Sequence, residues 1–240
     1  MLTMRDHGIE DYAELRDMDA TDVGELAKDD RACLDELGQY LVATDAWQRF
    51  GIWLLHKHFE PAPGEVFVER ALREPRGTET APLPRSSFAE QRLTTTAIRF
   101  DESVGSGVGV IGMEFAETAD FGDVSPLSDE DDAVLAGLAQ RLQAHGKIDR
   151  FGVRLIRNPL HLSEHELLSE TSDSSQRTLH CIVTERDAMP AQTTIETNWQ
   201  WRVVQGETGP AVMVACTVNC RRAGEGHDLA HEHTAEDEYP

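Results

Sequence analysis

Two histidines separated by a single lysine, His56 and His58, are the residues of this 240-residue chain best suited to chemistry. On a β-strand, residues two positions apart project from the same face at a spacing of roughly 6–7 Å, so both imidazoles can reach one metal ion. Imidazole ligands suit a divalent metal such as Zn, Fe or Mn, and a catalytic site keeps a coordination position open for water. The spacing therefore predicts metal binding at this pair, with two ordinary polar residues at the wet end of a strand as the alternative interpretation.

Such a site needs a third ligand, and acidic residues follow the pair at Glu60, Glu65 and Glu69. If the strand that carries the histidines forms a hairpin with the next strand, Glu65 and Glu69 point to the opposite face of the sheet. That register moves the third ligand into the second half of the chain, where we expect it at His161 or His180.

Arginines are concentrated just after the histidines, in a stretch whose prolines, serines and threonines predict a long loop over residues 70–91. Guanidinium groups bind carboxylates and phosphates through paired hydrogen bonds. Arg70, Arg73 and Arg76 are therefore candidate substrate-binding residues for a small anionic molecule. A solvated loop whose charges are balanced locally is the alternative.

The composition limits the partners of the chain, which carries 44 acidic and 22 basic residues and a formal net charge of −22. Such a surface repels nucleic-acid phosphates and anionic lipids, so we expect no nucleic acid and no membrane as partner. No apolar run reaches the ~18–20 residues of a transmembrane segment. The four cysteines lack disulfide-framework spacing and no signal peptide is recognisable, which favours a soluble, cytoplasmic protein. Acidic, lysine-poor surfaces also suit concentrated salt, so a halophilic source is a further hypothesis.

A segment around the histidines recurs later in the chain. Residues 49–70 and 150–171 align without gaps and share six identities. The identical pairs are Arg49/Arg150, Phe50/Phe151, Gly51/Gly152, Leu54/Leu155, Glu65/Glu166 and Glu69/Glu170. This match predicts an internal duplication. Only the first copy carries the two histidines, so added chemistry is expected there.

Each copy follows a predicted helix and precedes a series of strands. One helix is indicated by leucines at helical spacing, with Thr21 or Asp22 as its cap, and the other by Ser128 and Asp131 in a capping box. Strand patterns cover residues 50–59, 65–69, 93–100, 108–115, 151–157, 166–170, 177–184, 194–203 and 211–221. We therefore predict an α+β fold of two similar helix-plus-antiparallel-sheet lobes, residues 31–125 and 126–222. An acidic N-terminal segment, residues 1–30, and a flexible acidic, His-rich tail, residues 223–240, flank them.

A glycine string at 107–112 matches the spacing of a dinucleotide-binding turn, but no helix pattern follows it directly, so no nucleotide is expected. Two functions stay open. In the first, a metal at His56 and His58 polarises a small anionic substrate, and the arginine loop closes over it. In the second, the protein is a non-catalytic binding or assembly protein that offers a sheet edge or groove to a protein partner. Convergence of the histidines and a third ligand in a concave pocket would favour the first.

Overall fold

The computed structural model describes residues 2–16, 26–89, 92–101, 108–120, 125–157, 159–188, 194–206 and 209–221. The predicted cap at Thr21 or Asp22 and the tail 223–240 lie outside these residues. The helices are α1 (Ile9–Ala13), α2 (Lys28–Ala43) and α3 (Asp132–Ala144). The strands are β1 (Leu2–Asp6), β2 (Phe50–Leu54), β3 (Glu65–Leu72), β4 (Gly77–Pro84), β5 (Leu93–Phe100), β6 (Val108–Glu117), β7 (Phe151–Leu155), β8 (Glu166–Asp173), β9 (Thr178–Glu185), β10 (Thr194–Gly206) and β11 (Gly209–Arg221).

Within the described ranges, all eleven strands belong to one curled sheet in the order β1-β6-β3-β4-β9-β8-β11-β10-β2-β7-β5. Because β5 pairs with β6 as well as with β7, the sheet closes on itself. The α+β class is confirmed, but the expectation of purely antiparallel sheets was wrong. The sheet is mixed, since β1–β6, β3–β6 and β8–β11 are parallel pairs. In the part of the chain that the structure describes, no helix is long and apolar enough to span a membrane.

Two local expectations are corrected by the strand pairing. The stretch after Arg70 is not one long loop, because β4 occupies Gly77–Pro84 and pairs with β3 along its length. β4 pairs with β9 only over residues 77–80. Pro82 and Pro84 lie beyond this pairing, where β9 offers no carbonyl that would need a backbone N–H, so the absence of an N–H in proline costs no hydrogen bond with β9. The expected hairpin between β2 and β3 is also absent from the described pairings, where β2 lies between β10 and β7.

Helices α2 and α3 cover one face of the sheet. Their buried leucines, Leu34, Leu37 and Leu41 on α2 and Leu135, Leu138 and Leu142 on α3, join a cluster with Phe50, Ile52, Phe151, Val153, Trp199 and Trp201 on the strands. Burial of each such side chain contributes about 1.5–3 kcal/mol, so this cluster is the main source of cohesion in the described part. Gly38 permits the close contact, because a Cβ there would lie 2.0 Å from Nε1 of Trp201.

The arginine of each Arg-Phe-Gly segment binds an aspartate at the start of the helix in the other half. Nε of Arg49 lies 2.6 Å from Oδ1 of Asp131, and Nε of Arg150 lies 3.0 Å from Oδ2 of Asp30. Each aspartate also accepts the backbone N–H three residues before it, at 2.9 and 3.1 Å. Nε and Nη2 of Arg49 both donate to the Asp131 carboxylate, and hydrogen bonds to charged groups contribute about 1.5–3 kcal/mol. Together with the ion pair between Arg150 and Asp30, they hold both helix starts against the sheet.

The elements of the two halves recur at a constant interval. Five strands of the first half each begin 101 positions before a strand of the second half. The pairs are β2 and β7, β3 and β8, β4 and β9, β5 and β10, and β6 and β11. β2 pairs with β7 antiparallel, with Ile52 opposite Val153, and these two residues are themselves separated by that interval. The two halves therefore meet through strands that begin 101 positions apart.

Candidate metal centre

His56 and His58 lie just beyond the end of β2 rather than on the strand. The strand ends at Leu54, and the following backbone is held by hydrogen bonds from Leu55 N–H to Arg150 O (2.9 Å) and from Lys57 N–H to the Arg16 carbonyl (3.0 Å). The expectation of two histidines on one strand face was therefore wrong. Their convergence was right, because the turn brings the two Nε2 atoms to 3.0 Å.

Glu170 of β8 completes the cluster. Its Oε1 lies 3.3 Å from Nε2 of His56 and 3.1 Å from Nε2 of His58. The three side chains are 5–6% exposed, and their ligand atoms lie within 4.8 Å of one another. These residues can hold a metal ion.

The third ligands expected from sequence are engaged elsewhere. Glu60 binds Lys57, Glu65 binds Arg177, and Glu69 binds Arg154 and Arg157. His161 is exposed, and His180 lies 3.1 Å from the Thr178 hydroxyl. One signal for Glu170 was present in the sequence, because it is the residue that matches Glu69 in the repeated segment.

Hydrogen bonding prepares His56 as a ligand. Its Nδ1 donates to the Leu54 carbonyl at 2.7 Å, so Nε2 is the nitrogen that faces Glu170 and that would bind a metal after losing its own proton. Burial lowers the pKa of His56, but the hydrogen bond and charge of Glu170 outweigh it and the pKa is raised. Burial lowers the pKa of His58, so this imidazole is neutral at pH 7.

Glu170 supplies a permanent negative charge at the cluster. Burial alone would raise the pKa of its carboxyl, but hydrogen bonds from both histidines hold the pKa well below its usual range. The Sγ of Cys181 lies 3.9 Å from its Oε2, and burial raises the pKa of that thiol well above its usual value. Cys181 is therefore an uncharged neighbour, while Glu170 is ionised at pH 7.

A second group of charges lies behind the histidines. Nη2 of Arg154 lies 2.9 Å from Oε2 of Glu69 and 2.9 Å from Oε2 of Glu114. Burial raises the pKa of Glu114, and the neighbouring carboxylates of Glu69 and Glu170 add to that shift. Arg154 therefore offsets the charge of carboxylates that would otherwise repel one another in a buried space.

Two cavities meet at the cluster. The smaller, about 30 Å³, is lined by His56, His58 and Glu170 among others and has room for a water molecule. The larger, about 450 Å³, is also lined by Glu170. Arg154, Glu170 and Asn198 line both of them. A molecule in the larger cavity thus reaches the wall of the smaller one.

The predicted substrate-binding arginines lie on the β3–β4 hairpin and are exposed. Nη2 of Arg70 is 3.7 Å from Glu117, Arg76 is ion-paired with Glu166, and Arg73 lies in the turn between the strands. The lining of neither described cavity includes any of the three. Their role in substrate binding stays a prediction.

Comparison of the chain with protein-family models, with curated proteins and with solved structures yields no match in any of the three.

Proposed function

We propose that this protein binds one divalent metal ion at His56, His58 and Glu170 and uses it to act on a small anionic molecule. The observation that carries the proposal is the triangle of ligand atoms with sides of 3.0, 3.1 and 3.3 Å. If a metal ion lies 2.0–2.2 Å from each ligand atom, the ligand atoms themselves must lie roughly 2.9–3.4 Å from one another. The ligand atoms therefore already stand at coordinating distances from one another.

Two imidazoles and one carboxylate form the ligand set of several zinc hydrolases and of non-haem iron oxygenases, and manganese accepts the same donors. Three protein ligands leave at least one coordination position open. The small cavity beside the cluster gives that position room for water or for an oxygen of a substrate. Bound there, the metal would act as a Lewis acid or lower the pKa of its water.

The concave, buried setting supports this function over the alternative of a protein partner that docks on a sheet edge. A docking surface has no need of three ionisable side chains that converge inside the molecule. Burial of such groups costs free energy unless they are paired or bind a metal. The cluster thus has a more direct explanation in metal binding.

The test is the metal content of tag-free protein that ends at residue 222, which removes the histidines of the tail. We expect near one equivalent per chain in the wild type and less than about a tenth in the His56→Ala/His58→Ala variant, because two of three ligands are lost. His180→Ala is the matched control and should keep its metal. Absence of metal in folded wild-type protein after incubation with Zn²⁺, Fe²⁺ or Mn²⁺ would refute the proposal.

We further propose that the two halves descend from one duplicated unit. Support comes from the constant interval of 101 positions and from the exchanged ion pairs of Arg49 with Asp131 and Arg150 with Asp30. The same interval separates His56 from Arg157 and Glu69 from Glu170. The contact between His56 and Glu170 therefore corresponds to the ion pair between Arg157 and Glu69.

In this view, the metal centre occupies one of two equivalent positions. The other position keeps an arginine–glutamate ion pair, which closes it to a cation because the guanidinium already neutralises the carboxylate. A change from arginine to histidine at one copy is what would have opened the position to metal.

A further inference from the structure

We propose that the cavity of about 450 Å³ binds a small 2-hydroxycarboxylate with an apolar body, and that Asn198 positions its hydroxyl beside the metal. This inference rests on the proposed metal function and names its substrate class. Three features of the cavity lead to it: its charge, its apolar wall and one buried acceptor atom.

The charge of the lining is the reverse of that of the chain. Acidic residues outnumber basic ones 44 to 22 in the sequence, yet the charged residues that line this cavity are four arginines and three glutamates. The arginines are Arg154, Arg157, Arg186 and Arg202. A divalent ion at the adjoining cluster would add two positive charges. In a strongly acidic molecule this cavity therefore favours an anion, and guanidinium groups favour a carboxylate.

The cavity also has an apolar wall. Ile156, Leu160, Leu162 and Leu168 contribute to the lining, together with Trp199. Ligand cavities of roughly 300–1,000 Å³ that combine apolar walls with a few polar groups are typical of small organic ligands. An inorganic anion would leave this wall unused, so the anion is expected to carry an apolar body.

Asn198 supplies the polar group at the junction of the two cavities. This residue is 5% exposed, and its Oδ1 has no hydrogen-bond partner among the described residues. Its Nδ2 donates to the Thr197 hydroxyl at 3.3 Å. A buried acceptor without a donor costs about 1–3 kcal/mol, which a ligand hydroxyl that donates to Oδ1 would recover.

The backbone aims this side chain. β10 is irregular at Asn198 in its pairing with β11, and β5 is irregular at Ala97, 101 positions earlier. Strand irregularities of this kind reorient side chains near functional sites. The equivalent position in the first half thus holds a methyl group. Asn198, His56 and His58 each differ from the residue 101 positions away, and all three line the same small cavity.

The test uses the full-length chain loaded with one equivalent of Co²⁺ and calorimetric titration with mandelate as the probe. The visible absorption of Co²⁺ reports metal binding, and the spectrum of the His56→Ala/His58→Ala variant is subtracted to remove any Co²⁺ bound by the tail histidines. Phenylacetate lacks the hydroxyl of mandelate, and mandelamide lacks its charge. One hydrogen bond contributes about 1 kcal/mol, so phenylacetate should bind the wild type about three- to tenfold more weakly than mandelate. Mandelamide should bind at least tenfold more weakly, because its neutral amide loses the charge-assisted hydrogen bonds.

Variants assign these differences to residues. In Asn198→Ala the preference for mandelate over phenylacetate should vanish while the Co²⁺ spectrum is retained. Arg186→Gln or Arg202→Gln should weaken mandelate binding at least tenfold, whereas Arg73→Gln on the exposed hairpin should not change it.

Wild-type protein that binds Co²⁺ but not mandelate, or that binds all three probes equally, would overturn the inference and leave the metal site standing. Loss of binding in Arg73→Gln alone would also overturn it, because the anion would then lie outside the cavity. If Co²⁺ does not bind, the proposed function fails. The same titrations on metal-free protein then decide whether the cavity binds the anion.

Discussion

Replacement of Glu170 by glutamine separates metal binding from structural support at the candidate centre. The amide keeps the shape of the carboxylate and its two contacts with the histidines, at 3.3 and 3.1 Å, but removes the negative charge. Removal of one partner from a buried pair of opposite charges costs roughly 3–5 kcal/mol. For a metal ion held by this carboxylate, that cost corresponds to a loss of affinity of roughly 10²- to 4 × 10³-fold.

The assay is competition for Zn²⁺ against a chromophoric chelator, with the free energy of unfolding of metal-free protein measured in parallel by urea titration. The matched control is Glu69→Gln, 101 positions earlier in the chain, because Glu69 is buried to a similar extent. Because Glu69 binds two arginines, Glu69→Gln should reduce the stability of the metal-free protein by about 3–5 kcal/mol and change Zn²⁺ affinity by less than tenfold.

For Glu170→Gln we expect a large loss of Zn²⁺ affinity and a smaller loss of metal-free stability than in Glu69→Gln, because no arginine loses its partner there. If Glu170→Gln instead costs 3–5 kcal/mol in the metal-free protein and leaves Zn²⁺ affinity unchanged, the cluster is a structural hydrogen-bond network. That result would refute the metal assignment.

Three further predictions concern the scaffold. Burial alone would raise the pKa of the Asp11 carboxyl, but Nη1 of Arg5, 2.6 Å from its Oδ2, holds this pKa below its usual value. The Asp11 carboxylate therefore stabilises the fold above pH ~4. This contribution is lost as the pH falls through the lowered pKa. Asp11→Asn should thus lower the free energy of unfolding by about 1.5–3 kcal/mol in urea titrations at pH 7, and by progressively less below pH 4. The control Asp6→Asn, which breaks an exposed ion pair with Arg85, should lower it by under about 1 kcal/mol. Equal losses in the two variants would contradict this prediction. Because the chain carries a net charge of −22, screening by salt should raise its melting temperature by several degrees between about 0.1 and 2 M KCl. A melting temperature that does not change with KCl concentration would show that charge repulsion does not limit stability. Residues 26–125 alone should form a homodimer in which β2 pairs with its own copy, and a folded monomer in light scattering would count against the proposed duplication.

Much of the secondary structure could be predicted from local patterns. The box of Ser128 and Asp131 marks the start of the second helix, and alternating apolar residues mark most strands, because these signals act between residues a few positions apart. β4 was missed since Pro82 and Pro84 normally exclude a strand. Here the prolines are accommodated because β9 pairs only with the earlier part of β4.

The sequence by itself identified His56 and His58 as metal ligands to be tested, because their proximity in the chain guarantees their proximity in space. It did not determine how they converge: they meet in a turn after β2 rather than on a strand face.

Only the tertiary structure decided the third ligand. Glu170 is 112 residues from His58, and apart from its match to Glu69 nothing in the sequence separates it from the other acidic residues of this chain. It reaches the histidines because the sheet closes on itself and brings β8 opposite the end of β2. The same closure makes Asn198 line two cavities at once, a placement that depends on strand order and not on any neighbouring residue.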